Sequence, residues 1–218
     1  MRKPSLTAKT KRIQGQCAIA YAWRGKTIDI FNSALTAMLV IELFADEELD
    51  GAEKSALLVR MIFPHPEQAI EACDGDITEL LCDALWDEFG LDITADKIHA
   101  SEYQPPVFDF DQDAARIKAS LLQCYGINWD DAAQTTSYVD LCALLGSLTE
   151  SGEATPFKQA IYFRTAKPPK ATKYNRQERE AFNDAQKHYA LTKNHVQSAN
   201  DVSADMFAAA KRAAQRGQ

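Results

Sequence analysis

With 218 residues, 46% hydrophobic and 25% charged, the chain reads as an ordinary globular protein of one domain, or one domain plus an appendage, that needs no staples for its core. The formal net charge of −7 conceals a segregation: residues 1–12 carry five bases and no acids, residues 42–113 carry twenty acids and three bases, and residues 164–218 carry eleven bases and five acids. The five cysteines, Cys17, Cys73, Cys82, Cys124 and Cys142, are odd in number and without a Cys-x-x-Cys pair, which argues against a disulfide framework or a zinc site and fits a reducing cytoplasm.

In chain order, residues 1–17 form a basic segment without apolar periodicity, expected to be flexible. Ala18 to Trp23 and Thr27 to Ile30 flank Arg24-Gly25-Lys26 with partly alternating β-branched and aromatic residues, the pattern of a small β-hairpin. The run Cys17 to Trp23 is short and has no convincing cleavage site, so no signal peptide is expected. From Asn32 as N-cap, Leu35, Met38, Leu39 and Leu43 mark a helix ending near Asp46-Glu47-Glu48, with Gly51 in the turn that follows. Ala34 to Phe44 is the most apolar stretch, yet it falls well below the roughly 20 residues that span a bilayer, so no membrane segment is expected. A further helix holds Ala56, Leu57, Val59, Arg60 and Met61 and is ended by Pro64-His65-Pro66. Asp76 with Glu79 caps the next, whose Ile77, Leu80, Leu81, Ala84, Leu85 and Phe89 line one face before Gly90, with Trp86 at the edge of the stripe. Leu91 to Gln104 reads as a connecting segment with one short helix, closed by Pro105-Pro106.

Three helices then follow at short intervals. The first runs from about Asp111 to Tyr125, with Ile117, Leu121, Cys124 and Tyr125 on its stripe and Gly126 as its stop. Ser137-Tyr138-Val139-Asp140 caps the second, which carries Leu141, Leu144, Leu145 and Leu148, and Thr155-Pro156 starts the third, with Phe157, Ile161 and Arg164. Together they should bury one another's stripes as the core of a helical domain spanning 18–166. Residues 167–218 change character: a Lys167-Pro168-Pro169-Lys170 linker, a charged helix with Phe182, Ala185 and Tyr189 on one side, and a last helical segment from Ser203 or Asp201 with Met206, Ala210 and Ala213 on a narrow stripe. The fold class expected is therefore mainly α: a bundle-like domain with a small N-terminal hairpin and a C-terminal helical appendage. The appendage is expected to be dispensable for folding of the body and to have its own partner, for which Phe182, Tyr189, Met206, Phe207, Lys211 and Arg212 are the candidate contact residues.

Residues with chemical potential have plainer readings. Asp109-x-Asp111-x-Asp113 starts like a calcium loop but has Ala114 and Ser120 where glycine and glutamate belong, so N-terminal carboxylates favoured by the helix dipole are the simpler account. His65, His99, His188 and His195 share no ligand spacing, no glycine-rich phosphate loop exists, and Cys82 and Cys142 fall on or beside apolar stripes. No metal, cofactor or catalytic centre is expected. The basic tail could meet nucleic acid, but the acidic body would repel a phosphate backbone. Of the segregated charge itself two readings stay open: basic ends that fold back or meet a partner, or merely solvated helix faces.

One set of residues resembles a known family. Phe108-Asp109-Phe110-Asp111-Gln112-Asp113, Ile117 to Leu122, Tyr125-Gly126-Ile127, Leu144 to Leu148, Phe157 and Arg164 are similar to the bacteriophage proteins named after gene product fifteen. Gly25-Lys26, Ile28, the acidic turn Asp46 to Asp50 and Phe63-Pro64 resemble that family's N-terminal half, so the likeness covers most of residues 18–190. The resemblance implies a tail-assembly chaperone of a long-tailed phage, acting in the host bacterial cytoplasm as a non-enzymatic helical protein that covers the tape-measure protein, with tail-tube subunits as a second client. A structural component retained in the virion and a helical nucleic-acid-binding protein are the alternatives; self-association stays open.

Overall fold

The computed structural model describes residues 3–5, 10–74, 76–91 and 107–192. Its N-terminal part is a three-stranded antiparallel sheet in the order β1 (Thr10–Ile13), β2 (Gln16–Trp23), β3 (Lys26–Phe31). The expected hairpin is there: Trp23 pairs with Lys26 across a two-residue turn in which Arg24 and Gly25 have φ of 48° and 78°. Both positive values match the right-handed strand twist, which is why a glycine sits there. The structure adds a second hairpin of the same kind, over Gln14 (φ 52°) and Gly15 (φ 82°), so part of the segment expected to be flexible is an edge strand. Its residues Thr10–Arg12 are exposed, and without a buried face the strand leaves no alternation to read.

Period-two alternation puts Cys17, Ile19, Tyr21 and Trp23 on the buried face of β2, opposite Ile28 and Ile30 of β3. That face meets helices. α1 (Ala34–Ala45) is capped by Ser33 rather than Asn32, the Ser33 Oγ accepting from Thr36 N at 3.0 Å. α2 (Gly51–Ile62) starts five residues before the stretch that the apolar pattern marks, because Asp50 and Glu53 close a reciprocal capping box that outweighs the poor helix propensity of Gly51. Pro66, read from sequence only as a breaker, is also the first residue of α3 (Pro66–Ala72), where its missing N–H is no loss. α4 (Ile77–Ala84) begins at the expected Asp76 cap and widens into a π turn, Leu85–Phe89, closed by Gly90 at φ 72°. The sheet grips this pair from above: Tyr21 donates its hydroxyl to Asp87 and Trp23 its indole N–H to Asp83, each at 2.9 Å.

The second part holds α5 (Ala114–Tyr125), α6 (Trp129–Ala132), α7 (Tyr138–Glu150), α8 (Pro156–Thr165) and α9 (Arg176–Tyr189). α5, α7 and α8 are the three helices expected to bury one another, and Leu121, Leu141, Leu145, Leu148 and Phe157 are almost wholly inside. α7 and α8 start at the expected caps: Ser137 Oγ accepts from Asp140 N at 3.1 Å and Thr155 Oγ1 from Lys158 N at 3.2 Å. α5 starts three residues later than expected, since Asp111 to Asp113 form a turn, and the four-residue α6 was too short for any periodicity to announce. The mainly α class with a small N-terminal sheet thus holds. The connecting segment's residues 92–104 and Pro105-Pro106, with the helix expected from Ser203 or Asp201, lie outside the described residues.

A backbone seam fastens the two parts. Ala34 N donates to Thr136 O at 2.8 Å, Tyr138 N to Asn32 O at 2.8 Å and Cys17 N to Gln134 O at 2.7 Å, with Ser33 bridging Ser137. One hydrophobic core therefore runs from Ile19 through Ile62, Leu80 and Phe89 to Leu145 and Phe157.

Gly126 ends α5 at φ 64°, and a Cβ added there would meet nothing within 4 Å, so its role is purely conformational. Gly126→Ala should lower stability by about 1–2 kcal/mol, the cost of a left-handed L-residue; urea unfolding should show a lower midpoint at an unchanged slope.

Candidate functional site

The most chemically distinctive point is a buried carboxylate. Asp113, fully inside at the start of α5, receives two hydrogen bonds from the Arg164 guanidinium, 2.6 Å to Oδ2 and 2.9 Å to Oδ1, a bidentate fork reaching across from the end of α8. Arg116 adds a third at 2.7 Å and the backbone N–H of Asp109 a fourth at 3.1 Å. Burial by itself raises the Asp113 carboxyl, but the bonds from Arg164, from Asp109 N and from Arg116 outweigh it and hold the group below the usual carboxylate range. Arg164 gives two further donors to backbone carbonyls, Val107 O at 3.1 Å and Tyr189 O at 2.5 Å. One guanidinium therefore ties together the approach to α5, α5 itself, α8 and the C-terminus of α9.

Beside that clamp lies the seat of α9. Phe182, 9% exposed, packs edge-on against Phe163 with ring centroids 5.4 Å apart and against Tyr162 at 6.2 Å. One turn further, Gln186 Nε2 donates to Phe163 O at 3.1 Å and Ala166 O at 3.0 Å, filling acceptors that the end of α8 leaves open. The Tyr189 ring stacks parallel on Phe163 at 5.4 Å, with the Arg116 guanidinium 5.3 Å from its centroid and its hydroxyl 3.1 Å from Gln159 Oε1. Beyond the helix, Thr192 donates through N and Oγ1 to Gln112 Oε1 at 2.9 and 2.8 Å. Of the six residues singled out from sequence, Phe182 and Tyr189 thus come together on the body of the same chain. Met206, Phe207, Lys211 and Arg212 lie outside the described residues. Sequence reasoning missed the receiving side, Gln112, Arg116, Tyr162 and Phe163. The i, i+4, i+7 spacing of Phe182, Gln186 and Tyr189 was the available signal.

Other groups are quieter. At the junction of sheet and π turn, buried Asn32 donates Nδ2 to the buried Glu88 carboxylate at 3.2 Å. Burial pushes the Cys142 thiol up to about 12, only partly offset by the Tyr138 hydroxyl, and raises Cys17 as well, with Asp140 adding to it. Both thiols are therefore protonated near neutral pH. Among the described residues no three His, Cys, Asp or Glu side chains are grouped to hold a metal ion, and no helix is long and apolar enough to cross a membrane. A shallow apolar depression between α5 and α6 is lined by Ala119, Leu122, Ile127 and Trp129 and edged by the Lys118–Asp130 ion pair at 2.7 Å.

The fold and this geometry define a small, mainly helical protein whose distinctive chemistry is a helix-docking face organised around a buried ion pair. The family model described as Bacteriophage Gp15 protein matches residues 15–191, which takes in the sheet, the core helices and the seat of α9. The chain belongs to that family and is a bacteriophage protein. No curated protein and no solved structure matches it.

Because the Asp113 carboxyl is depressed, its contribution to stability is present above the unfolded carboxylate value near 4 and lost as pH falls through the lower folded value. Asp113→Asn leaves Arg164 buried against a neutral amide and should cost about 3–5 kcal/mol at pH 7. Denaturant melts at several pH values should show the variant losing less stability on acidification than the parent; equal loss would exclude Asp113 as the titrating group.

Proposed function

We propose that this protein is a tail-assembly chaperone, acting in the host bacterial cytoplasm on the tape-measure protein, with tail-tube subunits as a second client. The observation that supports the reading is family membership over residues 15–191, and the step from that family to the chaperones of long-tailed phages is what the resemblance implies. The structure supplies a compatible device. Its α5–α8 face already holds an amphipathic helix by aromatic and side-chain-to-carbonyl contacts, which is the helix-in-groove mode that a long client helix requires. Such a role calls for no catalytic group, cofactor or metal. Nucleic acid is the less favoured partner: two of the three lysine and arginine residues of α9 pair locally, Arg176 with Glu180 at 2.8 Å and Lys187 with Asp184 at 3.2 Å, so the helix does not present a row of free cations.

Co-expression with the tape-measure protein of the same phage is the test. The client should move from the pellet to the soluble fraction and co-purify with this chain, while mass spectrometry of purified virions should find the chain absent. A tape-measure protein equally soluble without it would defeat the reading, and stoichiometric retention in virions would assign it to the tail structure instead.

A further inference from the structure

The seat of α9 has the properties of a binding site more than of a core. α9 is 14 residues long, yet Phe182 is its one buried side chain, and Asn175 at its start makes no side-chain cap. Burying one phenylalanine stabilises by roughly 1.5–3 kcal/mol, little against the ordering of a four-turn helix. Exposed Lys167, Pro168, Lys170, Thr172 and Tyr174 lead into it, with only Ala166, Pro169 and Asn175 half-buried, so the connection does not pin the helix to the body. The receiving face, by contrast, is rigidly built. Arg164 and Arg116 are aimed by the buried Asp113, Phe163 rides on α8, and Phe157 anchors α8 through its N–H to the buried Ser120 Oγ at 3.0 Å. What this face offers is specific: an aromatic slot between Tyr162 and Phe163, two open carbonyls at the end of α8, a second stacking surface on Phe163, and the Arg164 Nε aimed at a helix C-terminal carbonyl. An i, i+4, i+7 triad of aromatic, amide and aromatic meets all four.

We infer that the α5–α8 face is an exchangeable helix-binding site, occupied in cis by α9 and taken in trans by a client helix presenting a large apolar residue, a glutamine or asparagine, and a second aromatic at those positions. α9 then keeps the aromatic slot covered while no client is present and leaves it when one competes. The inference rests on the chaperone reading for the nature of the client but not for the existence of the site.

The probe is a fluorescent peptide of residues 175–192 added to the full chain. Phe182→Ala/Tyr189→Ala, which loosens α9 without touching the receiving face, should bind the peptide at least tenfold more tightly than the parent, and a peptide carrying the same two alanines should bind neither. Equal binding to both chains, or none to a variant that keeps a cooperative melt, would overturn the site. Hydrogen exchange on the unmodified chain gives a second arm independent of the variant's folding: amides of α9 should open far more readily than those of α5 and α8, and equal protection would overturn exchangeability. Capture separates the two ideas. If the peptide exchanges as expected but the loosened variant retains no more tape-measure protein than the parent, the site stands and the chaperone reading falls; if the peptide fails while capture persists, the reading stands and the site falls.

Discussion

A carboxylate with no access to water sets the terms for the second half of this molecule. Asp113 can be ionised in the interior only because Arg164, Arg116 and a backbone N–H share its lone pairs, and Arg164 can be inside only because Asp113 neutralises it. The mutual dependence has a geometric result. A guanidinium is planar with donors in fixed directions, so once its fork is taken by Asp113 the remaining N–H groups select where Val107 and the end of α9 lie. Lysine, with a single ammonium, could satisfy the charge but not hold several backbones in register.

The folding signals that sequence conveyed well were those made by neighbours. Thr155-Pro156, Ser137 with Asp140, and Gly126 each fix a helix end through contacts within a few residues, so the residue type and its spacing are the whole message. α3 and α6 are too short to show a period, and β1 is an edge strand whose residues are almost all exposed. The clamp was invisible for a different reason. Asp109, Asp111 and Asp113 read as equivalent acids at a helix start, and what distinguishes Asp113 is a partner 51 residues further on. The same holds for Phe182 and Tyr189, whose type suggested contact but could not say that the contact would be with Phe163.

The segregated charge is handled differently at the two ends. Two bases of the N-terminal hairpins meet acids of the body, Lys26 with Asp74 at 3.4 Å and Arg24 with Glu79, while Lys11 pairs with Asp29 of β3 at 2.8 Å within the sheet. Each is solvent-exposed and worth little singly. The two that leave the sheet join its second turn to the start of α4 and the residues before it, where the buried Tyr21 and Trp23 supply the apolar contact. Among the described residues, no base of 167–192 is paired with an acid of 42–87. The C-terminal helix is thus seated by rings and carbonyls, which screening by salt leaves largely intact.

The seam that stitches Asn32 and Ala34 to Thr136 and Tyr138 carries a consequence for biosynthesis. It joins segments roughly a hundred residues apart, and closing a loop of that length must precede any reward from the contacts it makes. While the chain is still emerging from the ribosome, β2 and β3 can pair, but the Asn32 carbonyl has no donor to meet until Tyr138, at the start of α7, has been synthesised. The buried Phe89, whose ring lies 6.0 Å from that of Tyr138, therefore waits with one side open while α7 is still to be made. Under the chaperone role proposed above, a protein that shields the apolar stripes of others would have to pass through a stage in which its own are the ones uncovered.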